Sequence, residues 1–202
     1  MPTNRGVAYI KPGEVQVQSI DYPKLRMPKS ETDPFGGKDA PHGVILKIVT
    51  TNICGSDQHM VRGRTTAPKG LILGHEITGI VEDVGGAVAD LKTGDRVVVD
   101  QGLNCVSRRR DVLCEYCRTD NSHQCEFYRE HGITGLPGGL AEFIAVPAVN
   151  ALRITAPVKP CVAALVEPLG CVVHSSDFVA KSRARYAINA ETPERRVRSV
   201  LI

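Results

Sequence analysis

The chain has 202 residues, 42% hydrophobic and 23% charged, with a formal net charge of +3. That length suits one well-packed domain, or a little more, and is too small for a large two-domain enzyme. Lys181, Arg183, Arg185, Arg195, Arg196 and Arg198 against Glu191 and Glu194 put +4 in the last 22 residues and leave −1 before them, so the body is balanced and nucleic acid is not the expected partner.

In chain order, residues 7–10 and 15–20 flank the turn-forming Lys11-Pro12-Gly13-Glu14 and predict a hairpin. A polar loop follows to about Pro41. Residues 43–51 (GVILKIVTT), 77–84 and 96–100 read as strands, separated by the turn signals Gly85-Gly86 and Thr93-Gly94-Asp95. Residues 101–139 are rich in Cys, Arg and Gly, lack periodicity, and read as a lobe held by something other than an apolar core. Strand character returns at 141–146. Short strands with glycine turns predict a mainly β fold, a partly closed β-barrel over residues 1–160. Val162, Leu165, Val166, Leu169, Val172 and Val173 are spaced as one helix face over 161–180, with Pro168 expected to kink it or start a turn. The basic tail 181–202 has no apolar stripe and reads as poorly packed. No apolar run approaches the roughly 20 residues of a bilayer span, and the N-terminus lacks the apolar core of a signal peptide. Seven cysteines, an odd number and partly clustered, suit a metal better than disulfides. A cytoplasmic protein with no membrane partner is expected.

Two constellations carry chemistry. In the first, Cys54-Gly55-Ser56-Asp57-Gln58-His59 ends one strand and Gly74-His75-Glu76 opens the next. A thiolate and an imidazole at neighbouring strand ends suit Zn2+ in a site with an open position. Ser56, with His59 three residues further on, offers a path for a hydroxyl proton. In the second, Cys114-x2-Cys117-x7-Cys125 matches a closed structural zinc site, which supplies folding energy to a lobe without a core.

These motifs resemble the zinc-dependent medium-chain alcohol and polyol dehydrogenases, whose GroES-like catalytic domain carries C-G-S/T-D-x-H followed by G-H-E. Residues 42–66 (HGVILKIVTTNICGSDQHMVRGRTT) and 71–85 (LILGHEITGIVEDVG) resemble the glutathione-independent formaldehyde dehydrogenase branch in particular. Leu165-Val166-Glu167-Pro168-Leu169 instead resembles the V-E-P-L stretch of sorbitol- and threonine-dehydrogenase-like members. The resemblance implies that Cys54 and His75 bind the catalytic zinc, with Glu167 as third ligand and Glu76 as an alternative or exchanging one. It implies Ser56 and His59 as the proton relay and places Gly55, Ser56 and His59 near the cofactor. The substrate is then a small alcohol or aldehyde, activated on zinc and giving hydride to NAD(P).

The family's structural zinc pattern is C-x2-C-x2-C-x7-C, and here only the last three cysteines fit. The first ligand is either Cys105, reaching in across the inserted residues 106–113, or Asp111, which stands at the expected position. Thiolate chemistry favours Cys105. Gly138-Gly139-Leu140-Ala141-Glu142-Phe143 resembles the family's G-G-x-A-E-[FY] entry into a strand, with its glycines expected to serve turn geometry. Cys161, Cys171 and His174 have no partner pattern and read as packing residues.

No two of the 19 glycines are separated by a single residue, so G-x-G-x-x-G is absent. The resemblance covers about the first 177 residues and fits a catalytic domain without its Rossmann domain. Little activity is expected from this chain alone, and the expected partners are a complementing cofactor-domain chain or a further copy of itself. Two rival readings stand beside it. One is a non-catalytic, zinc-stabilised β-barrel or binding module. The other, weaker one is a zinc-ribbon nucleic-acid binder that uses Arg108 to Arg110.

Overall fold

The computed structural model of the protein describes residues 3–27 and 37–181. Strands β1 (Asn4–Lys11) and β2 (Glu14–Ile20) form the predicted antiparallel hairpin, with Lys11 opposite Glu14 across the turn. Then follow β3 (Gly43–Asn52), helix α1 (Gly55–Val61), β4 (Glu76–Val84) and β5 (Arg96–Val99). The lobe contains β6 (Gly102–Leu103), α2 (Glu115–Arg118) and β7 (Arg129–Glu130). The chain returns through β8 (Phe143–Pro147) and β9 (Ala151–Arg153) and ends in α3 (Pro160–Ala163) and α4 (Val166–Lys181).

Five strands form one antiparallel sheet in the order β8-β3-β4-β5-β9. β8 and β9 lie on opposite edges, yet only the turn Ala148–Asn150 joins them. Edge strands of a flat five-stranded sheet stand about 19 Å apart, whereas that link, with the bonds either side of it, reaches at most about 14 Å. The sheet must therefore curl to bring its edges together. Among the described residues it does not close by hydrogen bonding, so the fold is mainly β with a curled sheet and no closed barrel. Isolated bridges Gly6↔Ala141 and Ala8↔Ile72 attach the hairpin.

The concave side encloses Val44, Leu46, Ile77, Val81, Val97, Val99, Ile144 and Val146, all buried. Alternate residues of adjacent strands supply them, and fully burying each such side chain contributes about 1.5–3 kcal/mol. The lobe has a separate buried cluster made of Cys105, Cys114, Cys117 and Cys125, flanked by Leu113, Phe127 and Tyr128.

Pro168 neither kinks nor precedes α4. It lies in the first turn, where a missing N–H removes no intrahelical bond. The predicted apolar face is present but uncovered: Val162, Leu165, Val166, Leu169, Val172 and Val173 are 44–60% exposed. By length and composition alone, Pro160–Val179 is long and apolar enough to cross a membrane, contrary to the sequence expectation. Glu167, His174 and Asp177 interrupt the run without lowering its average below that of a span. Cys161 and Cys171 are exposed, so they do not pack as expected. His174 sets its ring edge-on to His123 at 4.4 Å and to Phe178 at 4.9 Å between centroids. Residues 182–202, nearly all of the basic tail, lie outside the described residues.

One close approach ties the sheet entry to the site. Gly138 donates its N–H to Ile72 O at 2.8 Å, and a methyl group at this position would overlap the carbonyls of Leu73 and Gly74, immediately before His75. Backbone cannot move aside as a side-chain tip does, so Gly138→Ala is expected to cost about 1–3 kcal/mol of stability. Urea denaturation followed by circular dichroism measures this, and an unchanged midpoint would contradict it.

Candidate metal centres

The first centre is built around α1. Cys54 is its N-cap, in extended conformation, and Asp57 at N3 turns back so that Oδ2 accepts the Cys54 N–H at 3.0 Å. This is part of a reciprocal capping box between Cys54 and Asp57, and it fixes the Cys54 backbone where the strand ends. Asp57 is buried, and its Oδ1 accepts the Gly74 N–H at 3.3 Å and lies 3.5 Å from His75 Nδ1. One carboxylate therefore references both halves of the constellation. With Nδ1 directed at Asp57, His75 Nε2 faces the site, 3.1 Å from Ser56 Oγ. Metal-binding histidines commonly have this arrangement, with a carboxylate holding the ring nitrogen that does not bind.

Ligand atoms of Cys54, His75 and Glu76 all lie within 4.8 Å of one another. Burial opposes protonation of His75, yet Asp57 and then Cys54 outweigh it and push the imidazole up to about 9. Glu130 and Glu167 are both raised by burial and both sense His75. Neighbouring carboxylates add to this, Asp100 at Glu130 and both Glu76 and Glu130 at Glu167, so acidic side chains gather around the imidazole.

The structure brings Glu76, not Glu167, into the group with Cys54 and His75. Glu167 stands at the start of α4, where its Oε1 accepts a hydrogen bond from Gln101 Nε2 at 2.9 Å. Ser56 directs its hydroxyl to His75 rather than to His59, and His59 is exposed on α1 beyond it. Gly55 opens α1 beside Cys54. Sequence reasoning assigned no role to Asp57, Gln101 or Glu130. For Asp57 a signal existed, a carboxylate at N3 after a helix N-cap; Gln101 and Glu130 reach the pocket through tertiary packing alone.

In the second centre Cys105, Cys114, Cys117 and Cys125 are all buried, and their sulfurs lie within 4.8 Å of one another. Cys105 Sγ is 3.6 Å and Cys114 Sγ 3.8 Å from Cys125 Sγ. A disulfide requires about 2.05 Å. A tetrahedron with Zn–S bonds of about 2.3 Å has S···S edges of about 3.8 Å, so the spacing fits a four-thiolate zinc. Asp111 is exposed and outside the group. At Cys114 burial is outweighed by the backbone N–H groups of Cys117 and Glu126, and its thiol is lowered to about 6. Burial pushes Cys117 up to about 12. The environment thus favours the thiolate at Cys114, while burial disfavours it at Cys117 and Cys125.

The arginine run does not form a free basic face. Arg108 is buried, with Nη1 donating to Leu103 O at 2.7 Å, and Arg110 turns onto Cys105 and Phe127, leaving Arg109 exposed.

Comparison with known proteins agrees with this architecture. Residues 40–156 match the alcohol dehydrogenase GroES-like domain. The chain is 42% identical over 175 residues to a glutathione-independent formaldehyde dehydrogenase of Pseudomonas aeruginosa, covering 85% of this chain and 42% of that protein. It is 34% identical over 158 residues to an L-threonine 3-dehydrogenase of Coxiella burnetii, covering 76% and 43%. A crystal structure from Sinorhizobium meliloti 1021, described as a zinc-binding dehydrogenase bound to NADP, superposes with a TM-score of 0.72 at 28% identity, covering 89% and 46%. The chain thus spans less than half the length of these relatives. Its fold, its motif spacing and the match across residues 40–156 place it in one family: the chain belongs to the GroES-like domain family of the medium-chain alcohol dehydrogenases.

Proposed function

We propose that this chain is the zinc-carrying catalytic domain of an alcohol, polyol or aldehyde dehydrogenase. The observation that carries the reading is the convergence of Cys54, His75 and Glu76 ligand atoms within 4.8 Å beside the Ser56 hydroxyl. Zinc bound there supplies Lewis-acid activation of a small alcohol or aldehyde oxygen. Cys54, His75 and Glu76 would hold it, and Glu167 would act from the rim as an exchanging ligand. With His75 Nε2 given to the metal, Ser56 Oγ beside it would be free to accept the substrate's hydroxyl proton while releasing its own outward. His59, exposed on the same helix, would pass it to solvent.

Hydride acceptance requires a nicotinamide site. The 202 residues hold no G-x-G-x-x-G, so NAD(P) would be bound mainly by protein outside them, with Gly55, Ser56 and His59 completing its site. The exposed apolar face of α4 supports such a partner, either a cofactor-domain segment or a second chain. Negligible NAD(P)-dependent turnover is therefore expected from the 202 residues alone. A reducing, cytoplasmic setting suits seven free cysteines.

Metal stoichiometry tests the assignment. The purified chain is expected to bind two zinc equivalents, and Cys54→Ala is expected to lose one while retaining the other. A wild-type chain holding a single equivalent, or Cys54→Ala still holding two, would sink the first centre.

A further inference from the structure

The residues between the first two cysteines of the lobe form a built structure. Asn104 Oδ1 accepts the N–H groups of Val106 at 2.9 Å and Ser107 at 3.1 Å, and Arg108 N–H reaches Asn104 O at 3.2 Å. Arg109 takes a left-handed φ of 48°, and Arg110 N–H then closes on Cys105 O at 3.1 Å. The loop thus folds back on the cysteine it follows.

This return sets Arg110 Nη1 3.5 Å from Cys105 Sγ. Its guanidinium carbon lies 4.0 Å from the centroid of the Phe127 ring, and the Phe127 N–H in turn points at Cys125 Sγ at 3.4 Å. The cation is therefore clamped between one cysteine sulfur and an aromatic ring whose backbone contacts a second. Four thiolates around Zn2+ carry a net charge of −2, and in a buried lobe that charge needs compensation. A planar guanidinium satisfies both contacts, since one edge donates to sulfur while the face stacks on the ring.

We propose that Arg110 is a positioning residue for the four-cysteine centre: its guanidinium, set against the Cys105 sulfur and the Phe127 ring, holds that ligand in place and slows zinc release. The proposal rests on the zinc reading of this centre. Outer partners of metal ligands commonly change affinity 10–100-fold. Zinc transfer to a chromogenic chelator should therefore be about tenfold faster or more from Arg110→Met, which keeps the stem over Phe127 but loses the charge. Arg110→Lys is expected to recover most of the difference, and Arg109→Gln, at the exposed neighbour, to match wild type.

Cobalt substitution gives the second readout. Loss of a cationic donor to sulfur should shift the thiolate-to-cobalt charge-transfer band of Arg110→Met to longer wavelength. Arg110→Met with wild-type release and an unshifted band would overturn the proposal, as would Arg109→Gln releasing zinc equally fast. A wild-type chain whose four-cysteine centre takes no zinc would instead overturn the zinc reading itself. Should Arg110→Met fail to fold, the wild type and Arg110→Lys still decide: a lysine variant releasing zinc faster than Arg109→Gln by only a small factor supports the charge, and one as labile as a cysteine variant overturns it.

Discussion

Cys114→Ser is expected to empty the four-cysteine centre and unfold the lobe around it while the five-stranded sheet stays intact. The regular elements of the lobe are two strands of two residues, a helix of four and a 3-10 turn of three, Ser122–Gln124. Pieces this short are not stable alone, because helix nucleation and isolated strand pairing are both unfavourable in water. Apart from Leu113, Phe127 and Tyr128, the lobe's buried cluster is the cysteines themselves. The metal must then supply most of the stabilisation, and structural zinc in comparable peptides binds with roughly 10–16 kcal/mol near neutral pH. The sheet core shares no residue with that cluster, so the loss should stay local. Hydrogen exchange checks this directly. Amides of residues 104–128 should lose protection by orders of magnitude, while those of β3 and β4 keep theirs. Asp111→Asn, altering an exposed side chain outside the cluster, should exchange like wild type. Unchanged protection of the lobe in Cys114→Ser would refute the metal's structural role.

The same contrast explains what the sequence made legible. β3 and β4 are long, β-branched and bounded by glycine turns, and they appear within a residue of expectation; the hairpin turns at Pro12-Gly13 as expected, although β1 begins at Asn4 and not at residue 7. The choice of Cys105 over Asp111 rested on ligand softness, and it is the Cys105 sulfur that joins the cluster although its spacing departs from the family pattern. Other features depend on pairing distant in the chain. The three-residue β9 gains its place only by pairing with β5, and the sheet's curl follows from which strands occupy its edges. Arg110 belonged to a run that resembles a solvated face. Only the turn set by Asn104 and Arg109 aims it inward. Between Glu76 and Glu167 the motif supplied two carboxylates without a distance; in the structure Glu76 stands with Cys54 and His75, while Glu167 accepts from Gln101.

Asp57→Ala should have the largest effect on the first centre without touching a proposed ligand. Removing the buried carboxylate strands two donors, the Cys54 N–H and the Gly74 N–H, and takes away the ion-pair partner 3.5 Å from His75 Nδ1. Each unsatisfied buried group costs about 1–3 kcal/mol, and partial solvation of the vacated space makes a total of about 3–5 kcal/mol the reasonable expectation. Metal affinity should fall further than stability alone explains. Cys54 and His75 are held in register by this one side chain, and loss of the carboxylate behind a ligating imidazole typically costs 10–100-fold in affinity. Asp57→Asn keeps the shape and an acceptor oxygen but loses the charge. It should therefore recover much of the stability while still binding zinc at the first centre more weakly than wild type. Denaturant titration measures the first quantity, and zinc retention after dialysis against a competing chelator the second. The four-cysteine zinc serves as internal standard, since neither variant reaches it. If Asp57→Ala kept both zinc equivalents and its full stability, Asp57 would have no part in holding the centre, and the alignment of Cys54 with His75 would have to come from the strand ends alone.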